Sequence, residues 1–161
     1  LDKLKADTVT KDFLGTYDSK VNTGVIGGVI PDEITLYSSK EIDKAKMVWD
    51  NDEEKSYDSI YVLSALKGKD KYTVFFGGNH SVTDIKTDNN TGKTLLLIKD
   101  SFAHSLAPFL IKDYDRIIML DLRYFNKSLK KYIDENKITD LLVLYSTPDF
   151  AEDANIGRLL R

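Results

Sequence analysis

Apolar residues are unevenly patterned along this chain, and the pattern changes character near residue 70. Leu95-Leu96-Leu97-Ile98 is a continuous aliphatic run that follows Thr94 and stops on Lys99-Asp100-Ser101. A short run bounded by a turn signal predicts a strand buried on both faces. Ile117–Leu122 and Asp140–Leu144 repeat that pattern, Tyr72–Phe76 precedes them and ends in Gly77-Gly78-Asn79-His80, and Ser128–Glu135 carries a helical period. The order β-α-β-α-β over 71–150, with crossovers of roughly 15–20 residues, predicts a parallel sheet with right-handed connections, half of a doubly wound α/β fold. Residues 1–70 read as an irregular, β-containing part. Glu33–Tyr37 and Ala45–Trp49 alternate apolar and polar positions as short strands open to antiparallel pairing, and the charged segment Asp50–Asp58 reads as a solvated connector.

Two segments resist a single reading. Thr23–Pro31 is glycine-rich and reads as loop and turn; it lacks the Lys-Ser/Thr ending of a P-loop and the spacing of a dinucleotide loop. After Ser101, a helix beginning at Phe102 would be kinked by Pro108, whereas a helix capped by Ser105 and starting at Leu106 would hold Pro108 in its first turn. The pattern leaves both open.

Composition narrows the function classes. The 161 residues, 42% hydrophobic and 30% charged, suit one ordinary soluble domain with a sizeable core. A net charge of −3 gives no electrostatic footprint for nucleic acid or an anionic membrane. Apolar runs fall far short of the ~18 residues of a membrane span, so none is expected in this chain. Zero cysteine removes disulfides and thiolate metal sites. The opening Leu1-Asp2-Lys3 resembles the interior of a polypeptide, which sets the expectation of an incomplete domain over 1–161 with catalytic groups, and any leader, upstream.

Ser101 is the candidate nucleophile, because a serine at the carboxyl end of a parallel strand meets backbone N–H groups suited to an oxyanion. Its plainer reading is a helix N-cap. Asp100 either orients the elbow or caps backbone donors. His104, three residues on, can share a helical face with Ser101, although a side chain one turn away rarely makes an in-line base. Asn79 is a candidate oxyanion donor or substrate ligand, and His80 a candidate for the same cleft; alternatively Gly77–His80 is a tight turn with Asn79 left-handed. Arg123 suits a carboxylate or polysaccharide, or else forms a salt bridge to Asp121, Asp115 or another acid. Tyr124 and Phe125 either line a sugar-stacking surface or pack inside. Two histidines without an acidic cluster imply no metal, and no organic cofactor is expected.

Gly77–His80, Leu95–Ala103, Pro108-Phe109-Leu110 and Leu120–Phe125 resemble the C-terminal part of bacterial DHHW-motif proteins, over roughly residues 10–150. The Asp-Ser-Phe elbow is also similar to the permuted SGNH-hydrolase-like domains of alginate O-acetyltransferases, where an Asp-x-His motif precedes the serine. The DHHW motif itself is absent: no Asp-His-His-Trp or Asp-x-His-Trp occurs, and the sole tryptophan is Trp49. The resemblance implies a flavodoxin-like, SGNH-type, mostly parallel sheet with flanking helices. It further implies an extracytoplasmic location, acyl-ester hydrolysis or O-acetyl transfer on a glycan, Ser101 as nucleophile, and a His and Asp supplied upstream. The Asn donor that SGNH enzymes often place after a later strand is replaced here by Tyr145-Ser146-Thr147.

Two rivals remain. Met119–Arg123 resembles the phospho-acceptor strand of response-regulator receivers, but the later strand ends without the lysine a receiver needs. A non-catalytic module that binds polysaccharide or protein at the cell surface would use the same cleft with Ser101 purely structural. An incomplete domain would also expose an apolar face open to self-association.

Overall fold

A computed structural model of the chain describes residues 4–15, 30–50 and 52–160. All but the end of the Thr23–Pro31 stretch lies outside the described residues. The fold is α/β, and its contacts divide the chain into two units, Leu1–Ser39 with Tyr61–Gly78 and Lys40–Ile60 with Asn79–Arg161.

In the first unit, β1 (Lys5–Phe13) pairs antiparallel with β2 (Asp32–Ser38), from Lys5↔Ser38 to Phe13↔Asp32, with irregularities on either side of Thr10. The alternation read in Glu33–Tyr37 is real, since Ile34 and Leu36 are buried. Its partner is β1, not Ala45–Trp49; β1 was hidden because its alternate residues are mostly Lys, Asp and Thr, largely exposed. Tyr72–Phe76 is not a strand. Lys71–Val74 forms a 3₁₀ turn in which Thr73 Oγ1 donates to the Asp70 carbonyl at 2.6 Å, and one bridge, Tyr61↔Phe75, is all the β pairing it makes. Its apolar character serves aromatic packing: Phe75 lies 5.2 Å from Tyr72 and 5.9 Å from Tyr61 between ring centres. The backbone then turns left-handed at Phe76, Gly77 and Gly78 (φ 56°, 73° and 99°), not at Asn79. At Gly78 the positive φ favours glycine, and a Cβ would also press on Thr73 Cγ2 at 3.2 Å.

The second unit holds a six-stranded mixed sheet. After α1 (Lys40–Lys44) come β3 (Lys46–Trp49), β4 (Asp52–Tyr57), β5 (Val82–Lys86), β6 (Thr94–Lys99), β7 (Arg116–Leu120) and β8 (Asp140–Leu144), in the order β4-β3-β5-β7-β6-β8. The expected parallel part is β7-β6-β8; the other three strands add on antiparallel. The presumed connector at residues 50–58 contains β4, whose polar residues suit an edge strand. Strand β5 escaped notice because Thr83 and Asp84 interrupt its apolar pattern. Asp84 is nonetheless buried, gripped by Arg116 Nε and an Nη, each at 2.8 Å.

Leu96, Ile98, Ile118, Leu120 and Val82 form one core with Leu122, Phe125, and Leu129 and Tyr132 of α2 (Leu129–Glu135), while the alternate residues Leu95, Leu97, Ile117 and Met119 are buried on the opposite face. Ser128 caps α2, its hydroxyl accepting from Lys131 N. Strand β8 is an edge strand rather than a fully buried one: Leu141 and Val143 are exposed. After Ser101 the chain takes a path neither sequence alternative describes. Ser101–Ser105 is a 3₁₀ helix capped by Asp100, and a separate α-helical turn, Ala107–Leu110, follows with Pro108 near its start, where a missing N–H costs nothing; Ser105 does not cap it.

Candidate functional site

Antiparallel addition of β5 to β7 and β3 to β5 brings loop-forming residues to one sheet edge. Val82 opens β5 opposite Leu120 at the end of β7, and Trp49 ends β3 opposite Thr83. Residues 49–50, 79–81, 99–101, 121–123 and 145–149 therefore share the carboxyl edge of the parallel strands, where open α/β sheets bind ligands. Backbone hydrogen bonds lace these loops together: Asp50 N donates to Val82 O, Asp121 N to Ser81 O, and Asp100 N to Leu144 O.

The centre of this edge is Lys99. Strand period directs it inward, and it is 1% exposed. Its Nζ donates to Asn79 Oδ1 at 3.0 Å, lies 2.9 Å from His104 Nε2, and is 3.6 Å from Asp121 Oδ2. Burial pushes its pKa down to about 8, against the pull of Asp121; Arg123 adds to the drop and Asp100 opposes it. His104 is held neutral, its pKa pushed down to about 2 by burial, with the charges of Lys99, His80 and Arg123 adding to the effect. The His104 Nε2 is taken up by the contact with Lys99.

Ser101 opens the 3₁₀ helix and is partly exposed. Residues three apart eclipse in a 3₁₀ helix, so Ser101 lies on the face that carries His104 to Lys99 and Asn79. Asp100 is fully buried and caps both neighbouring segments: Oδ1 accepts from Phe102 N at 2.9 Å and Oδ2 from Ser146 N at 2.6 Å. The Phe102 N–H is thereby occupied. Ser146 caps α3 (Thr147–Glu152), whose Asp149 has a raised pKa through burial and its hydrogen bond to Asp100.

Of the remaining candidates, His80 stacks on Trp49 at 4.2 Å and 13° between planes, with Nδ1 3.9 Å from Asp50 Oδ2. Arg123 forms a two-pronged bond to the fully buried Asp121, Nε to Oδ1 at 2.9 Å and an Nη to Oδ2 at 2.7 Å, and this holds the guanidinium firmly charged. It also borders a cavity of about 310 Å³ lined by Asp149, Glu152, Asp153, Ala154 and Asn155. Phe125 belongs to the core, whereas Tyr124 is exposed beneath the Arg123 guanidinium. Asp121 is fully buried with both carboxylate oxygens held by Arg123, so neither is open to a phosphoryl group, which weighs against the receiver reading. Among the described residues no cluster of metal-ligating groups occurs.

Sequence reasoning passed over Lys99; it named Asp121 as a salt-bridge partner open to Arg123, the pairing found here, and Trp49 only as the sole tryptophan. The available signal for Lys99 was its place: a charged residue closing a strand buried on both faces has no route to water and needs buried partners.

A family model described as DHHW protein matches residues 1–120. The expected absence of the DHHW motif is therefore not borne out as a departure from the family. Among solved structures, a DHHW family protein from Eubacterium siraeum superposes with a TM-score of 0.79 at 27% identity, covering 100% of this chain and 54% of that one. Bacillus cereus PatB1 with a sulfonyl adduct gives 0.68 at 18% identity, over 96% of this chain and 50% of that one. A further PatB1 structure gives 0.67 at 21% identity, over 95% and 51%. The likeness to PatB1 is one of fold, and the chain spans about half the length of these structures. No curated protein matches.

Proposed function

The chain belongs to the DHHW protein family, and on that premise we propose that it forms the serine-bearing part of an acyl-transfer site, an ester hydrolase or O-acetyltransferase acting on an extracytoplasmic glycan. Ser101 attacks the acyl carbonyl while an imidazole from an upstream segment, held by an upstream carboxylate, takes its proton; the imidazolium returns that proton to the leaving alkoxide as the ester C–O bond breaks, and water or a sugar hydroxyl then takes the acyl group from Ser101. The Ser101 N–H and the Asn79 amide stabilise the oxyanion. The observation that carries this reading is the placement of Ser101 at the head of a 3₁₀ turn on the carboxyl edge, with Asn79 tied to the same turn through Lys99 and His104. The sulfonyl adduct on PatB1 supports it, because such an adduct requires a reactive nucleophile on a protein of the same fold. The test is labelling with a serine-directed phosphonate. The longer parent protein is expected to react and its Ser101→Ala variant not to, while residues 1–161 alone hydrolyse p-nitrophenyl acetate weakly. Strong hydrolysis by residues 1–161, lost in His104→Ala, would overturn the upstream base.

A second reading is favoured by the cavity beside Arg123, whose lining of acids, an amide and a guanidinium suits sugar hydroxyls. On it the site binds a glycan without turning it over. Calorimetry with a polysaccharide, unchanged by Ser101→Ala and lost in Asp153→Ala, would select this reading if the parent fails to label.

A further inference from the structure

We propose that Lys99 is a positioning residue whose ammonium sets the orientation of the Asn79 amide and the tautomer of His104, leaving the Asn79 Nδ2 protons to face the Ser101 elbow. The argument is one of donor counting. An ammonium has three N–H donors and no acceptor. Its neighbours offer the Asn79 carbonyl oxygen at 3.0 Å, His104 Nε2 at 2.9 Å and Asp121 Oδ2 at 3.6 Å. Because Lys99 only donates while charged, Asn79 must turn its oxygen toward it and its NH₂ away. By the same logic His104 Nε2 must accept, which places the His104 proton on Nδ1. The ring sits one 3₁₀ turn from Ser101, so a single buried cation couples the β6 end, the loop that leads into β5 and the elbow helix.

The lowered pKa of Lys99, about 8, makes this device sensitive to pH in an accessible range. Asp121 and Asp100 favour its charge; Arg123 opposes it, and His104 remains neutral through burial and the charges of Lys99, His80 and Arg123. Losing the proton turns one donor into a lone pair, and the neutral amine no longer dictates which end of the amide or which imidazole nitrogen it meets.

The proposal deepens the Ser101 reading, but its central claim is tested without any reaction. In ¹⁵N-labelled protein at pH 6.5, His104 is expected as the Nδ1–H tautomer with an accepting Nε2. The Lys99 Nζ signal is expected to titrate near pH 8, with the His104 ring and the Asn79 side-chain amide shifting on the same midpoint. Lys99→Met should convert His104 to a mixture of tautomers, and Lys99→Arg should keep Nε2 as an acceptor if the larger head fits. A His104 proton on Nε2 at pH 6.5 in the unaltered protein, or an Asn79 amide indifferent to the Lys99 titration, would overturn the proposal even if the variants fail to fold. The consequence for chemistry is read in the parent protein as the pH profile of Ser101 sulfonylation by a sulfonyl fluoride. The rate should fall above about pH 8, and Lys99→Met should lower it about 10²-fold at pH 7 and remove that limb. Normal spectra with no labelling would defeat the nucleophile reading alone; normal labelling per folded molecule in Lys99→Met would defeat the positioning role alone.

Discussion

Strand β7 carries a buried charge network at each end, and the two are built differently. At its start, Arg116 closes on Asp84 with two bonds of 2.8 Å, one cation to one anion. At its end, one fully buried aspartate, Asp121, serves two cations: Arg123 through two short bonds and Lys99 at 3.6 Å. The first arrangement is saturated; charge and donors match, and it welds β5 to β7. In the second the nearest carboxylate to Lys99 is held by shorter bonds to Arg123, and burial lowers the Lys99 pKa while Arg116 and Arg123 are held more firmly charged. A buried ammonium whose short contacts are an amide oxygen and an imidazole nitrogen is a poor way to hold a sheet together and a good way to polarise those neighbours. That difference separates the candidate site from the scaffold without reference to any known activity.

Removing the shared anion should break the comparison most severely. Asp121→Asn takes the nearest carboxylate from the buried Lys99 ammonium and leaves the exposed Arg123 to water, and an unfolding titration should show a loss of about 3–5 kcal/mol, the usual cost of leaving a buried charge uncompensated. A loss no larger than that of Asp84→Asn would mean the two ends are equivalent. Next in size is the pH response of Lys99. Its folded pKa of about 8 lies below the ordinary 10.5, so between those values the unfolded chain binds more protons at this residue than the folded chain does. Stability contributed by this group therefore rises with pH across that window, by at most about 3 kcal/mol, and its cost is fully present below pH 8. Subtracting the pH–stability curve of Lys99→Met from that of the unaltered protein should leave this slope; a flat difference would contradict the depressed pKa. Asp84→Asn comes third. Arg116 is partly exposed and water can replace the lost bonds, so about 1–2 kcal/mol is expected, with no new slope between pH 8 and 10.

How far these features could be read from the chain depended on where the partners lie. Leu95–Ile98 and Ile117–Leu120 announce themselves because strands buried on both faces must be apolar throughout, and Ser128 before an amphipathic run marks α2. Strand β5 was illegible because the polarity of Asp84 is cancelled by Arg116, 32 residues away. Tyr72–Phe76 misled because aromatic packing and strand burial produce the same apolar signature over five residues. At the site, the elbow was readable from Asp100-Ser101, yet the pairing of Lys99 with Asn79, His104 and Asp121 was not, since it unites loops that only the sheet order brings together.

The smallest effect is expected at β8, and it sharpens the comparison by leaving the buried networks untouched. Among the described residues this strand pairs with β6 along one side only, and its outward residues Leu141 and Val143 are 57% and 40% exposed. Lysine at both positions keeps the backbone ladder and the inward residues, so the unfolding free energy should move by less than about 0.5 kcal/mol. Exposed aliphatic side chains on a strand with an open edge invite pairing with another copy, and inserted lysines oppose that pairing by charge repulsion. Sedimentation of the 161-residue chain across a concentration series should therefore show self-association that the double variant loses. A stability loss of several kcal/mol would instead show that Leu141 and Val143 pack against structure within the folded chain, and β8 would then join the core strands on the scaffold side of the comparison.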